Sequence, residues 1–231
     1  MFRYMLSGGD LTTFLISILL SLPVVLLSLS LHEAAHGFVA LKLGDPTARN
    51  LGRLTLDPKK HLDPIGFLCM LLAGFGWANP VPINSRNFKK PRRDIALSAL
   101  AGPVSNLLLS LVFLLLLRFV GFGMLANIVP TTEKQYYLIY FAILFLYYGV
   151  YMNVTLAVFN LLPVPPLDGS RILCYFLPPR LYFKYARYER TIALIVMLLL
   201  LLGPLSSLIQ LITSLILKGM FALVGMSSFL I

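Results

Sequence analysis

The feature that most constrains this chain is an uncharged apolar run, Leu11 to Leu31, that leads directly into His32-Glu33-Ala34-Ala35-His36. An apolar stretch of about 20 residues can cross the roughly 30 Å hydrocarbon core of a bilayer as a helix. On that helix, positions i and i+4 lie about 40° apart, so both imidazoles can face one metal ion. The glutamate between them can reach a water on that ion. Three ionisable residues within five positions are costly in lipid unless they have partners and a function. The chain therefore reads as a membrane protein with a metal site near one end of its first span.

Composition agrees. Of 231 residues, 58% are hydrophobic, above the 45–50% or so of a soluble domain. The first run is too long for a signal-peptide core and lacks a small-residue cleavage site, so no cleaved leader is expected. Cys69 and Cys174 sit in unrelated contexts and imply neither a disulfide framework nor a thiolate zinc site. A net charge of +10 raises the question of nucleic acid, but the cations are placed like membrane anchors. Fifteen of nineteen Lys and Arg fall in two stretches, 42–94 and 164–190. The positive-inside bias then places both stretches in the cytoplasm and the N-terminus outside, with no nucleic-acid partner. The expected location is the cell membrane, multi-pass, with the site toward the cytoplasm.

The spans follow from the apolar runs. Segment 1 covers about 11–43 and stops at Gly44-Asp45-Pro46, with a kink expected near Leu19–Pro23. His32 and His36 then lie roughly 9–15 Å below the interface marked by Lys42. The run 65–78 is short, interrupted by Gly66, Gly74 and Gly76, and basic on both flanks. That length suits a re-entrant or β-hairpin-like element better than a crossing. Residues 95–117 cross outward, 118–137 connect outside, and 138–163 cross back. From Thr191 to Ile231 the chain is apolar except Gln210 and Lys218, breaking at Gly203-Pro204, and reads as one crossing plus a partial helix, with a two-helix hairpin the alternative. The expected fold is an all-α integral membrane protein, a polytopic helix bundle forming one domain over 1–231. Its core would be about 11–180, followed by C-terminal apolar helices over 191–231.

A catalytic zinc takes three protein ligands and keeps a place for water. The extended pattern with glycine and histidine three and six places after His36 is excluded, because Val39 and Lys42 stand there. The next glutamate after Glu33 is Glu133, on the wrong side. Asp45, Asp57, His61, Asp63, Asp94 and Asp168 remain. With 65–78 re-entrant, Asp168 arrives at the same end of the bundle as His32, in a proline-rich turn from which a carboxylate can point back. His61 reads as a loop histidine, and the tyrosines at 136, 137, 140, 147, 148 and 151 as interfacial belt and packing.

In this order and spacing, His32-Glu33-x-x-His36, Gly102-Pro103-x-x-Asn106 and Asn160-x-x-Pro163 with Leu167-Asp168-Gly169 resemble the signature regions of the site-2 protease family. The resemblance covers about residues 11–180 and is to compact members without a PDZ or CBS domain. It implies zinc-dependent intramembrane proteolysis, with one Zn2+ per chain on His32, His36 and Asp168. Glu33 would be the general base for the zinc-activated water. Asn106 and Asn160 would lie near the site and polarise the scissile carbonyl. The implied partners are transmembrane protein or peptide substrates and membrane lipids. Two other readings are a non-enzymatic binder with structural zinc and an ion transporter. The first needs a fourth ligand, and the second needs ionisable residues in other spans.

Overall fold

A computed structural model describes residues 10–66, 78–178, 180–181, 185 and 187–226. Helix α1 (Leu11–Lys42) is continuous through Pro23. Two single-turn helices follow, α2 (Thr47–Asn50) and α3 (Pro58–His61). Helix α4 (Pro91–Leu116) starts with a proline at its first position, where a missing N–H costs nothing. It continues as a π-helical stretch through Phe122. Helix α5 is Glu133–Leu161, α6 is Asp168–Phe176, α7 is Glu189–Leu202 and α8 is Pro204–Leu223.

Four of these are long and apolar enough to cross a membrane: Leu15–Lys42, Pro91–Phe122, Glu133–Leu161 and Pro204–Leu223. The described residues are thus a helical bundle, as the sequence predicts, with two boundary corrections. The expected connection over 118–137 is shorter. The π turn uses its first residues, and α5 begins at Glu133, where the Thr132 hydroxyl accepts from the Gln135 N–H. The apolar tail divides at Gly203, whose φ of 105° suits glycine, and Pro204 starts α8. With 14 residues, α7 is the shorter helix and α8, with 20, the one of spanning length.

The core is the seam between α1, α4, α5 and α8. Val24, Phe113, Leu114, Leu117, Val150, Val154, Leu217 and Phe221 are all buried there. Gly149 lets α5 close on α4, because a Cβ there would lie 2.3 Å from the Phe113 ring. Ser110 also donates its hydroxyl to the Val150 carbonyl at 3.1 Å, a polar link between the two helices.

The re-entrant element expected at 65–78 falls largely on residues outside those described. Its flanks are described. Leu62 and Ala78 form an isolated antiparallel bridge, and the Asn79 N–H donates to the His61 carbonyl at 2.7 Å. From Asn79 the chain runs as a strap toward Ser85. Arg53 donates to the Asn79 carbonyl at 2.7 Å, and Asp45 accepts from the Asn84 N–H at 2.7 Å.

Candidate metal centre

The six candidate third ligands separate clearly. Asp45 is spent on the Thr47 turn and the strap. Asp57 caps α3, accepting from the Lys59 N–H at 3.0 Å, and Asp63 accepts from Gly66 at 2.7 Å. His61 is buried and donates from Nε2 to the Thr55 carbonyl at 2.8 Å. Asp94 caps α4 through the Lys90 N–H and pairs with Arg93 at 2.7 Å. Only Asp168, among these, meets the two histidines. One Asp168 oxygen, Oδ2, lies 3.1 Å from His32 Nε2 and 3.2 Å from His36 Nε2. One ligand atom from each residue fits within 4.8 Å of the others.

The hydrogen bonds behind the two imidazoles decide what they present in front. His36 Nδ1 lies 2.7 Å from the Ser98 carbonyl, which can only accept, so Nδ1 carries the proton. The His32 case runs through a relay. Asn153 donates to the Gly149 carbonyl at 2.9 Å, which turns its Oδ1 toward Asn106. Asn106 donates to that oxygen at 3.0 Å and to the Ser28 carbonyl at 3.3 Å, leaving its own Oδ1 2.6 Å from His32 Nδ1. The proton of neutral His32 therefore sits on Nδ1. Both Nε2 atoms face Asp168 as bare lone pairs, and buried Asp168 Oδ2 has no hydrogen bond. With both imidazoles neutral, three lone-pair donors converge with no proton among them. That arrangement fits a divalent cation and is costly without one.

Packing around the cluster follows from glycine. A Cβ on Gly102 would lie 2.5 Å from His36 Nε2 and 2.6 Å from His32 Nε2, so α4 passes the imidazoles only as bare backbone. A Cβ on Gly169 would lie 2.3 Å from the carbonyl oxygens of Leu161 and Leu162. Helix α6 is thus pressed onto the end of α5, and its first residue is Asp168, where a helix favours an anion.

Glu33 sits in the same cavity, about 120 Å³, with His32, His36, Asp168, Val81, Asn160 and Arg171 on its walls. That space admits a few waters, not a folded substrate helix. Glu33 Oε2 accepts from the Val81 N–H at 2.7 Å. The two asparagines part company. Asn160 lines the cavity and donates one amide proton to the Leu156 carbonyl at 3.0 Å. Asn106 is fully buried behind His32. Neither Asn153 nor Val81 belongs to the motifs legible in the sequence. An asparagine within an apolar span is a signal that could have found the first. A backbone donor leaves no signal at all.

Residues 20–203 match the family model described as Peptidase family M50. The chain belongs to that family. It is 45% identical over 186 residues to a Bacillus subtilis protein named "Putative zinc metalloprotease YwhC", covering 79% of this chain and 80% of that one. It is 31% identical over 186 residues to "Putative zinc metalloprotease Rip2" of Mycolicibacterium smegmatis, covering 78% of this chain and 66% of that one. The match to the Mycobacterium tuberculosis protein of the same name is 31% over 185 residues, covering 78% and 65%. No solved structure gives a match. The M50 chain is a zinc metalloprotease, with a three-residue cluster suited to its metal.

Proposed function

We propose that this M50 protease hydrolyses peptide bonds within or near the transmembrane segments of membrane proteins, with His32, His36 and Asp168 holding zinc and Glu33 as general base. The observation that carries the reading is the meeting of His32, His36 and Glu33, on a helix of spanning length, with Asp168 from the short helix α6. When bound, zinc would polarise the scissile carbonyl and make a neutral-pH nucleophile of water.

The chain's own residues do the rest. Asn106 and the Ser98 carbonyl fix both imidazole tautomers, which keeps the ligand nitrogens bare. The Val81 N–H ties down one oxygen of Glu33. The other is left to take the proton of the attacking water and return it to the leaving amine. Asn160, with an amide proton to spare, is placed to meet the substrate backbone.

In this reading 65–78 dips into the membrane and returns, so His32 and Asp168 share the cytoplasmic end of the bundle. The Leu62–Ala78 bridge supports it by setting the two ends of that segment side by side. The N-terminus and the α4–α5 connection then lie outside, in the cell membrane, and substrates reach the site from lipid while water enters from the cytoplasm.

The test is Glu33→Gln in purified, reconstituted protein with a single-span substrate. The amide is nearly isosteric but cannot accept the proton. Zinc content and fold should be retained and cleavage should fall by about 100-fold or more. Cleavage at near wild-type rate would refute the assignment.

A further inference from the structure

One charged group on the cavity wall has no part in the account so far. Arg171 lies on α6, three residues after Asp168, so the two share a helix face. It lines the cavity that holds Glu33, His32, His36 and Asp168. Among the described residues it has no hydrogen bond or ion pair, whereas Arg92 and Arg93, at the start of α4, are both engaged. Its position is also unfavourable for the helix alone. A cation in the first half of a nine-residue helix opposes the helix dipole, which favours cations at the other end.

Helix α6 holds this face rigidly. Gly169 seats its start against the backbone of Leu161 and Leu162. Arg92 closes its far end, donating to the carbonyls of Cys174 at 3.0 Å and Tyr175 at 3.3 Å and to that of Leu177. Asp168 and Arg171 are therefore presented together. The other side-chain donor on the wall, Asn160, spends one proton on Leu156.

We infer that Arg171 is a further catalytic residue, whose guanidinium donates hydrogen bonds to the substrate carbonyl oxygen as it becomes negative. This rests on the protease reading above. Water oxygen bonds to the carbonyl carbon, its proton passes to Glu33, and the carbonyl π pair moves to oxygen. The oxygen pair then re-forms the C=O bond as the C–N bond breaks, with the C–N electron pair going to nitrogen, which takes the proton back from Glu33. Arg171 neither gives nor takes a proton. Bound zinc would be balanced by the carboxylates of Glu33 and Asp168, so the negative charge developing on the carbonyl oxygen is left for a further cation to offset. A planar guanidinium offers several donors to such an oxygen and stays charged throughout.

The test compares wild type, Arg171→Gln and Arg171→Lys in phosphatidylcholine vesicles, with and without phosphatidylglycerol. Zinc per chain, kcat and KM on a single-span substrate, and affinity for a phosphinic peptide are measured. The anionic tetrahedral phosphorus of that peptide imitates the charged state. Arg171→Gln should keep its zinc and its KM within about threefold, and lose about 100-fold in kcat and in phosphinic peptide affinity, in both lipids. Arg171→Lys should recover part of both. The inference fails if phosphinic peptide affinity is unchanged, if only KM rises, if zinc is lost, or if the defect needs anionic lipid, which would make Arg171 a headgroup anchor. The protease reading has its own outcome, since a wild-type chain that cleaves nothing overturns that reading whatever the ratio between variants.

Discussion

At the scale of single residues, the site depends on what its neighbours leave out. Gly102 passes the two imidazoles so closely that any side chain would occupy the space their ring nitrogens face. Gly102→Ala should therefore lower zinc content to less than half of wild type while the helix content measured by circular dichroism is retained. Alanine is the better helix former by about 1 kcal/mol, so lost helix propensity cannot explain lost metal. Full zinc occupancy in that variant would show that α4 can retreat. His32, Glu33 and His36 are legible in the sequence because their spacing is local and helical, and Asp168 because topology leaves few rivals. Gly102 is legible as a small residue and as part of the Gly102-Pro103-x-x-Asn106 signature. That it packs on the ligands themselves depends on how α1 meets α4, which no local pattern encodes.

At the scale of elements, the strap from Asn79 to Ser85 sets the orientation of Glu33, and Asp45 holds the strap. Its carboxylate is fully buried and accepts from the Thr47 N–H and hydroxyl, the Asn84 N–H and the Asn87 amide. Burial pushes the Asp45 carboxyl up, but the hydrogen bonds from Thr47, Asn87 and Asn84 outweigh it and hold it below its ordinary value. A lowered folded pKa means that the stabilisation is fully present above the unfolded value, about pH 4, and is lost as pH falls through the folded value. Asp45→Asn should cost about 1–3 kcal/mol at neutral pH, read as a lower midpoint of thermal unfolding. Below about pH 4 the gap between wild type and variant should narrow. An equal gap at every pH would mean that the charge of Asp45 contributes nothing. From the sequence, Asp45 reads only as a candidate metal ligand. Its acceptors and donors lie some 40 residues apart along the chain, and long-range pairing of that kind is invisible to spacing.

At the scale of the whole molecule, apolar run length sufficed to find the spanning helices, since length against bilayer thickness is a strong physical filter. Boundaries were less legible. The turn after α4 is π-helical, and α5 starts at a threonine cap outside its apolar run, so hydropathy alone misplaced both ends. Orientation is testable with single cysteines at Thr55, Ser85 and Thr132, in a background lacking Cys69 and Cys174. An impermeant thiol reagent applied to intact cells should label only the Thr132 position, and the other two only after permeabilisation. Labelling at Ser85 from outside, with Thr55 protected, would mean that 65–78 crosses the bilayer.

Catalysis in this protease would stand on one cluster, built where α1, α4 and α6 meet, and metal content tests that cluster most directly. Protein purified from membranes without added metal and analysed by elemental mass spectrometry should hold one zinc per chain. His36→Ala and Asp168→Asn should each hold well under half of that. Full zinc in Asp168→Asn would contradict the account, because the ion would then be held without the residue that α6 brings to the histidines.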